Sequence, residues 1–229
     1  GAITPVARLS PINIGGVIVS NATLHNFDEI KKKDIRINDS VWVKRAGDVI
    51  PYISKVEKTK RTKNSLVFKI PTYCLCGNFK IIKTKGETVQ RCSGGSKCTY
   101  QYVESLKHFV SKKAMNIDGL GEKQIEKFIE LKFISKKLDI YNLDRYKNEI
   151  IDLEGFGLKS YENLIQSIEK SKKTTLARFL FSLGLRYVGE NNSELLANYF
   201  QSTENFKKLI KSKNLYLELE NIDGLGTKA

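Results

Sequence analysis

The sequence predicts a multidomain α+β protein in which a small β-barrel precedes a zinc finger and an all-α domain of helical hairpins. Three observations lead to this prediction: alternating β-rich runs near the amino terminus, four cysteines confined to one short segment, and a glycine motif that recurs four times between helical stretches. The predicted domains cover residues 1–70, 71–103 and 104–229. A chain of 229 residues is long enough for two or three small domains.

Composition indicates a folded chain with a basic amino-terminal half. Hydrophobic residues make up 41% of the chain and charged residues 28%, as in ordinary globular proteins. No apolar run of about eighteen residues occurs, so we expect no membrane partner. Residues 1–103 carry +11 of the formal net charge of +14. This excess indicates a polyanionic partner such as nucleic acid, although a general enrichment in solvated lysine would give the same count.

Residues 1–70 show the alternation of apolar and polar residues that is typical of strands. The β-rich runs are Val17–Leu24, Val41–Arg45, Val49–Val56 and Ser65–Ile70, with a short helix at Phe27–Lys33. Four or five short strands in this length fit a small barrel such as an OB-fold, and an open half-sandwich is the alternative. Pro51 predicts an edge position or a bulge in the third run.

Residues 71–103 contain every cysteine of the chain. The four are Cys74, Cys76, Cys92 and Cys98. Two close pairs around an insert of hairpin size are typical of a four-cysteine zinc finger. Two disulfides are the alternative, but they require an oxidising compartment and nothing in the sequence directs export, so zinc is favoured. Because a single residue separates the first pair, we expect Gly77 to supply a sharp turn.

Residues 104–229 are predicted to be helical, with apolar residues at spacings of three and four. The predicted helices are Gln101–Val110, Glu122–Leu131, Ser160–Ser171, Leu176–Leu183, Asn191–Phe200 and Thr203–Lys211. A glycine motif recurs between them at Ile117–Ile125, Leu153–Ser160, Leu185–Glu190 and Ile222–Ala229. The steps between its copies are 36, 32 and 37 residues. Such a period indicates an internal repeat of one supersecondary unit.

The chemistry of the motif predicts hairpins that bind phosphate. Its glycines, including the second of each pair, are expected to allow positive φ, and the helix that follows begins with free backbone N–H groups. A single turn of this kind is more often a plain helix end, and only the repetition favours phosphate binding. The candidate DNA-binding residues here are Gly119, Gly121, Lys123, Gly155, Gly157, Lys159, Arg186, Gly189, Gly224, Gly226 and Lys228.

The third copy of the motif lacks the first glycine, so binding through Arg186 and a mainly structural role both remain open. Motifs of enzymes are mostly absent from the sequence. Gly119–Gly121 lacks the third glycine of a dinucleotide-binding fingerprint. Only two histidines occur, and His108 is expected to lie on a helix face or beside a phosphate rather than to act as a base.

Several stretches resemble bacterial NAD-dependent DNA ligases, and they occur in order along essentially the whole chain. These stretches are Gly1–Ala7, Ser20–Asn26, Asp34–Asp39, Arg45–Pro51, Arg91–Cys98, Ser105–Ser111, Ala114–Gly121 and Ala177–Arg186. The resemblance implies an OB-fold, a four-cysteine zinc finger and a helix-hairpin-helix domain that together bind nicked double-stranded DNA without regard to base sequence. It also implies that Lys44 and Arg45 lie near phosphate. Asp48 would orient their loop, although a plain turn residue is an equal interpretation.

The resemblance further implies parts that lie outside these residues. In that family, a nucleotidyl-transferase domain with a Lys-x-Asp-Gly nucleophile motif comes before the OB-fold, and a BRCT domain comes last. The tetrapeptide does not occur in the sequence. We therefore expect no catalytic residue and no activity in this chain alone, and we expect the NAD and Mg²⁺ sites to lie elsewhere in the complete enzyme.

The implied activity of the complete enzyme is the sealing of single-strand nicks through adenylated intermediates during replication and repair. The enzyme would be a monomer in the bacterial cytoplasm, associated with the nucleoid. The alternative function is a non-catalytic DNA-binding module, or the hairpin part of a repair nuclease. The stretch Arg45–Pro51 favours the ligase, because a generic hairpin module has no need of it.

Overall fold

The computed structural model describes residues 1–47, 50–212 and 215–225. The chain divides after Gln101 into two compact units. The first unit contains the predicted barrel and the cysteine segment, and the second unit is helical. Within the described residues, every helix is too short or too polar to cross a bilayer.

The first unit is built from short strands that form three small sheets. The strands are β1 Ala2–Ile3, β2 Val6–Ile14, β3 Val17–Thr23, β4 Arg36–Ile37, β5 Val41–Ala46, β6 Ile50–Val56, β7 Leu66–Val67, β8 Ile81–Lys83 and β9 Gln90–Cys92. The sheet orders are β2-β3-β6-β5, β4-β7 and β1-β9-β8, and among the strands that the structure describes only β3 and β6 pair in parallel. The four-stranded sheet curls into the half-barrel of an OB-fold, as the sequence predicted.

The inner face of the half-barrel is apolar. Val19, Ala22 and Ile53 are buried on the sheet, and helix α1 (Phe27–Lys32) buries Phe27 and Ile30. Helix α1 begins where the side chain of Asn26 accepts a hydrogen bond from the backbone N–H of Glu29, at 2.9 Å. This N-cap satisfies one of the amides that the helix cannot pair internally.

Two features of the half-barrel differ from the sequence prediction. Strand β2 was missed, because Pro11 interrupts its pattern; the sheet tolerates the proline through a register shift between Arg8 and Ile12. For Pro51 the edge position was wrong, since β6 is an interior strand, whereas the alternative of a bulge in the same run is confirmed, with the extra residue at Ser54 rather than at the proline. Pro51 is tolerated at the start of β6, where the only pairing with β3 is at Tyr52.

An ion-pair network holds the turn after α1 to the segment before β7. The Arg61 guanidinium donates to the carboxylates of Asp34 and Asp39 at 2.6 and 2.8 Å, and the Ser65 hydroxyl donates to Asp39 at 2.8 Å. Burial of Asp39 acts to raise its pKa, but these donors and the N–H of Arg36 outweigh it and lower the pKa to about 2. The side chain of Asp39 has no exposed surface, whereas that of Asp34 is 40% exposed, so the network is buried at Asp39 only.

The second unit is built from helical hairpins, of which three lie wholly within the described residues and a fourth is described only as far as Leu225. Its α-helices are α2 Thr99–Val110, which begins within the first unit, α3 Glu122–Glu130, α4 Lys147–Ile151, α5 Leu158–Ser171, α6 Leu176–Ser182, α7 Glu190–Phe200, α8 Thr203–Ile210 and α9 Leu215–Glu220. It also contains a 3₁₀ segment, Lys137–Tyr146, that is kinked at Asn142; short 3₁₀ turns lie in the first unit at Lys58–Lys60 and Gly95–Lys97. We number the hairpins by their turns: Ile117–Gly121 is hairpin 1, Leu153–Gly157 hairpin 2, Leu185–Gly189 hairpin 3, and the turn after α9 hairpin 4.

The hairpins pack in pairs around separate cores. Hairpins 1 and 2 share a large core whose fully buried members include Leu106, Ile125, Phe128 and Leu164. Hairpins 3 and 4 share a smaller core of Leu180, Val188, Leu196, Phe200, Leu209 and Ile222. Each hairpin alone leaves an apolar face uncovered, and pairing buries that face.

Candidate metal centre and nucleic-acid interface

The four cysteines converge on one point. Their Sγ atoms all lie within 4.8 Å of one another, and the Sγ atoms of Cys74 and Cys98 are 3.9 Å apart. A tetrahedral zinc site with Zn–S bonds of about 2.3 Å requires Sγ–Sγ separations of about 3.8 Å. A disulfide has an S–S distance of about 2.05 Å, and all four cysteines are free. The arrangement is that of a four-cysteine metal-binding cluster.

Two glycines shape the loops that carry the thiols. Gly77 has φ of +76° and its N–H donates to the Cys74 carbonyl at 2.8 Å, which makes the sharp turn expected for the shortened pair. The N–H of Gly94 donates to the Sγ of Cys92 at 3.4 Å. A Cβ at Gly94 would lie 2.4 Å from the Phe79 ring, so a side chain would not fit there. The single residue between Cys74 and Cys76 therefore does not prevent convergence.

Interactions among the neighbouring thiols help to lower the pKa of Cys98 and to raise that of Cys74. Burial acts to raise the pKa of Cys98, but the N–H of Gln101 and the neighbouring thiols outweigh it and lower the pKa to about 7. At Cys74 the N–H of Cys76 favours the thiolate, but burial and the other three thiols raise the pKa to about 12. Four neighbouring thiolates are therefore disfavoured at neutral pH without a cation to compensate their charge.

The hairpin turns share a backbone conformation that differs from the sequence expectation. The first glycine of each pair has positive φ: +91° at Gly119, +80° at Gly155 and +81° at Gly224. The second glycine of hairpins 1 and 2 does not, since φ is −74° at Gly121 and −162° at Gly157. The prediction of positive φ was therefore wrong for these two glycines. The left-handed residue makes the turn, and the next glycine lies on extended backbone that any residue adopts.

The second glycine instead begins the following helix. Gly121, Gly157 and Gly189 are the N-cap residues of α3, α5 and α7, and none of the three helices has a side-chain cap. Elsewhere in the unit, Thr175 and Ser202 cap α6 and α8 with their hydroxyls. The hairpin helices thus keep their first N–H groups available, and the positive end of each helix dipole favours an anion.

Local packing does not require glycine at these N-caps. A Cβ at Gly157 or Gly189 would have no heavy atom of the described residues within 4 Å, and at Gly121 it would meet only the flexible end of Gln124. Lys123 and Lys159 follow in the first turns of α3 and α5 and are exposed. Gly226 and Lys228, the corresponding positions of hairpin 4, lie outside the described residues.

Hairpin 3 keeps the shared geometry despite its divergent sequence. Tyr187 takes the place of the first glycine and has φ of +65°, Val188 is buried as Leu120 is, and Gly189 caps α7. The carbonyl of Tyr187 accepts a hydrogen bond from Asn192 at 2.8 Å. The guanidinium of Arg186 lies over the Tyr187 ring, 4.9 Å from its centroid.

The two candidate residues of the half-barrel are not brought together. Lys44 and Arg45 are neighbours in β5, and successive side chains of a strand point to opposite faces. Lys44 is exposed, whereas Arg45 is half-buried, with its guanidinium 3.5 Å from the Ile14 carbonyl. Asp48 lies outside the described residues.

Comparison with known proteins decides the family. The model of the NAD-dependent DNA ligase OB-fold domain matches residues 1–65. The chain is 46% identical, over its whole length, to the DNA ligase of Rickettsia bellii (strain OSU 85-389), and 48% identical, over 99% of its length, to that of Pelagibacter ubique (strain HTCC1062). The chain corresponds to the OB-fold and following region of an NAD-dependent DNA ligase. It spans about a third of the length of these relatives, namely 34% of each.

Sequence reasoning gave a helix face as one expected position of His108, but it missed the polar contacts that connect the hairpins of this ligase region. Ser167 on α5 accepts a hydrogen bond from the N–H of Asp118 at 2.8 Å and so ties hairpin 2 to the turn of hairpin 1. His108 bonds to the carbonyl of Phe181 at 2.7 Å, which places it on a helix face in contact with another helix. These partners are 49 and 73 residues apart, so no local pattern could have indicated them.

Proposed function

We propose that this chain is the DNA-clamping part of a ligase that seals single-strand nicks in duplex DNA during replication and repair, through adenylated intermediates. Its hairpins bind backbone phosphates, its half-barrel lies against the duplex, and its cysteine cluster holds one zinc ion. The 3′-hydroxyl and 5′-phosphate at the nick are joined by groups outside this chain.

The N-cap glycines carry this proposal. Extended backbone with open space around it accepts any small residue, and Ser, Thr, Asp or Asn would cap the helix better than glycine. Glycine at three equivalent N-caps therefore gives up helix stability. Its advantage is the removal of a side chain from the approach to the amides, which lets a phosphate oxygen reach the N–H groups. Contacts of this kind position a protein on DNA without reading its bases.

The remaining parts have supporting roles. Lys123 and Lys159 add positive charge beside the amides of hairpins 1 and 2, and Lys44 and Arg45 add charge on the half-barrel. Zinc held by the four thiolates would cross-link the loops of the cysteine segment and supply part of its folding free energy. Since the Lys-x-Asp-Gly motif does not occur in the sequence, NAD and Mg²⁺ would act at sites elsewhere in the complete enzyme.

A titration of this chain with nicked duplexes tests the proposal. We expect equal affinity for duplexes of unrelated sequence and an affinity that falls with salt, by a log–log slope of about −0.9 for each phosphate bound. Lys159→Ala should reduce the slope by about one unit. Lys173→Ala is the matched control, because Lys173 is an exposed lysine beyond the other end of the same helix.

Two results would contradict the clamp. The first is an equal effect of the two lysine substitutions, which would leave only unspecific attraction by net charge. The second is a preference for particular base sequences, which amide contacts to phosphate do not produce.

A further inference from the structure

The two hairpin pairs are joined by helix α6. Phe179 of α6 packs against the first core, whereas its neighbour Leu180 is a fully buried member of the second core. No buried residue belongs to both cores among the residues that the structure describes. The relative position of the pairs therefore depends on how α6 is held.

Arg178 holds α6 to the segment that leads into hairpin 1. Its Nε donates to the carbonyl of Ala114 at 2.9 Å, and its Nη2 donates to the carbonyl of Lys112. One planar guanidinium thus donates hydrogen bonds to two backbone carbonyls just before the turn of hairpin 1. A lysine at this place could not reproduce the two-pronged geometry.

The carboxyl end of α6 is held by two further donors. The Nε2–H of His108 on α2 donates to the carbonyl of Phe181 at 2.7 Å, and the carbonyl can only accept. The Nζ of Lys137 donates to the carbonyl of Leu183 at 3.0 Å. The Phe181 carbonyl also accepts a hydrogen bond from the N–H of Gly184 at 3.0 Å, so the bond from His108 adds a second donor from another helix. Hairpin 3 begins directly after this point, at Leu185.

We propose that Arg178 and His108 are positioning residues that fix hairpin 3 relative to hairpin 1, so that both hairpin pairs bind one duplex at the same time. The inference rests on the proposed function of the hairpins. The ion pair of Lys113 with Glu190, at 2.7 Å, spans the same two hairpins but is exposed and adds little. Fixed spacing raises affinity because the second pair binds at a high effective concentration once the first is bound.

The test compares a short duplex with a long one. Titration of the whole chain with duplexes of increasing length gives the length beyond which affinity no longer rises, and a duplex of that length is the long one. A duplex about half that long has room for one hairpin pair and is the short one. We expect Arg178→Ala and Arg178→Lys to lower affinity for the long duplex by about tenfold, and affinity for the short duplex by less than about twofold. Arg145→Ala, which removes an exposed arginine of the same unit, should change neither.

Two replacements at His108 distinguish the role of its hydrogen bond from the role of its side-chain volume. His108→Gln retains an N–H donor and should keep most of the advantage of the long duplex, whereas His108→Leu should lose it. Equal losses on both duplexes, or an unchanged advantage in the Arg178 variants, would overturn the inference. A wild-type chain that binds both duplexes but gains nothing from length would also overturn the inference, because the two pairs would not bind one duplex together. If the wild-type chain binds neither duplex, the proposed function of the hairpins fails instead.

Discussion

The two glycines of hairpin 2 should respond in opposite directions to one substitution. Gly157 has φ of −162° and ψ of 175°, close to the −144° and 158° of Ser202, which caps α8 with its hydroxyl. Gly157→Ser should therefore form a true N-cap on α5. A serine cap is better than glycine by a few tenths of a kcal/mol, and restriction of the unfolded chain adds roughly 0.5 kcal/mol. The expected gain is about 0.5–1 kcal/mol.

The same substitution two residues earlier should destabilise. Gly155 has φ of +80°, with no heavy atom within 4 Å of a Cβ built there, so the cost is that of left-handed backbone alone. That cost is roughly 1–2 kcal/mol for a residue with a side chain. For a domain of this size, Gly155→Ser should lower Tm by several degrees and Gly157→Ser should raise it by about 2–4 °C.

DNA affinity separates the structural role of Gly157 from its proposed binding role. In Gly157→Ser the hydroxyl competes with a DNA phosphate for the first N–H groups of α5, and the added Cβ hinders the approach of that phosphate. Binding of nicked duplex should therefore weaken although the fold is more stable. Thermal unfolding followed by circular dichroism, together with the titration described above, gives both values. A destabilised Gly157→Ser would refute the N-cap geometry. A stabilised variant with unchanged affinity would refute phosphate binding at α5.

The remaining predictions concern the metal, acid stability and chemistry. One zinc ion should co-purify with each chain, and Cys98→Ser should abolish it and unfold the cysteine segment while helical circular dichroism persists; four free thiols without metal in the wild type would contradict the site. The lowered pKa of Asp39 contributes stability that is present above about pH 4 and is lost as the pH falls towards 2. The shift corresponds to about 2.4 kcal/mol at most, and solvent screening reduces this to roughly 1 kcal/mol. Between pH 5 and pH 2, the free energy of unfolding of the wild type should fall by about 1 kcal/mol more than that of Asp39→Asn, as measured by denaturant titration. Equal decreases would rule out a stabilising ion-pair network around Asp39. Finally, the chain incubated with labelled NAD and Mg²⁺ should retain no label after denaturation, because it lacks the Lys-x-Asp-Gly nucleophile; a retained label would reveal a different nucleophile.

The sequence by itself determined the features that depend on near neighbours. Strand alternation predicted the runs from Val17 and Val41, and apolar spacing predicted helices such as α3 and α5 to within one or two residues of their ends. The cysteine spacing predicted the cluster, and the glycine period predicted the turns before α3, α5 and α7. Each of these patterns involves residues close together in the sequence, where covalent geometry and the direction of successive side chains already limit the backbone conformations.

Only the tertiary structure decided which glycine of each pair is left-handed and what joins the hairpin pairs. Both glycines allow positive φ, so residue type alone cannot assign it; the assignment follows from the path of the chain between two packed helices. The bonds of Arg178 and His108 end on backbone carbonyls 64 to 73 residues away. Every residue carries such a carbonyl, so the sequence holds no mark of the acceptor. Packing of the two cores against α6 is what brings those carbonyls within reach.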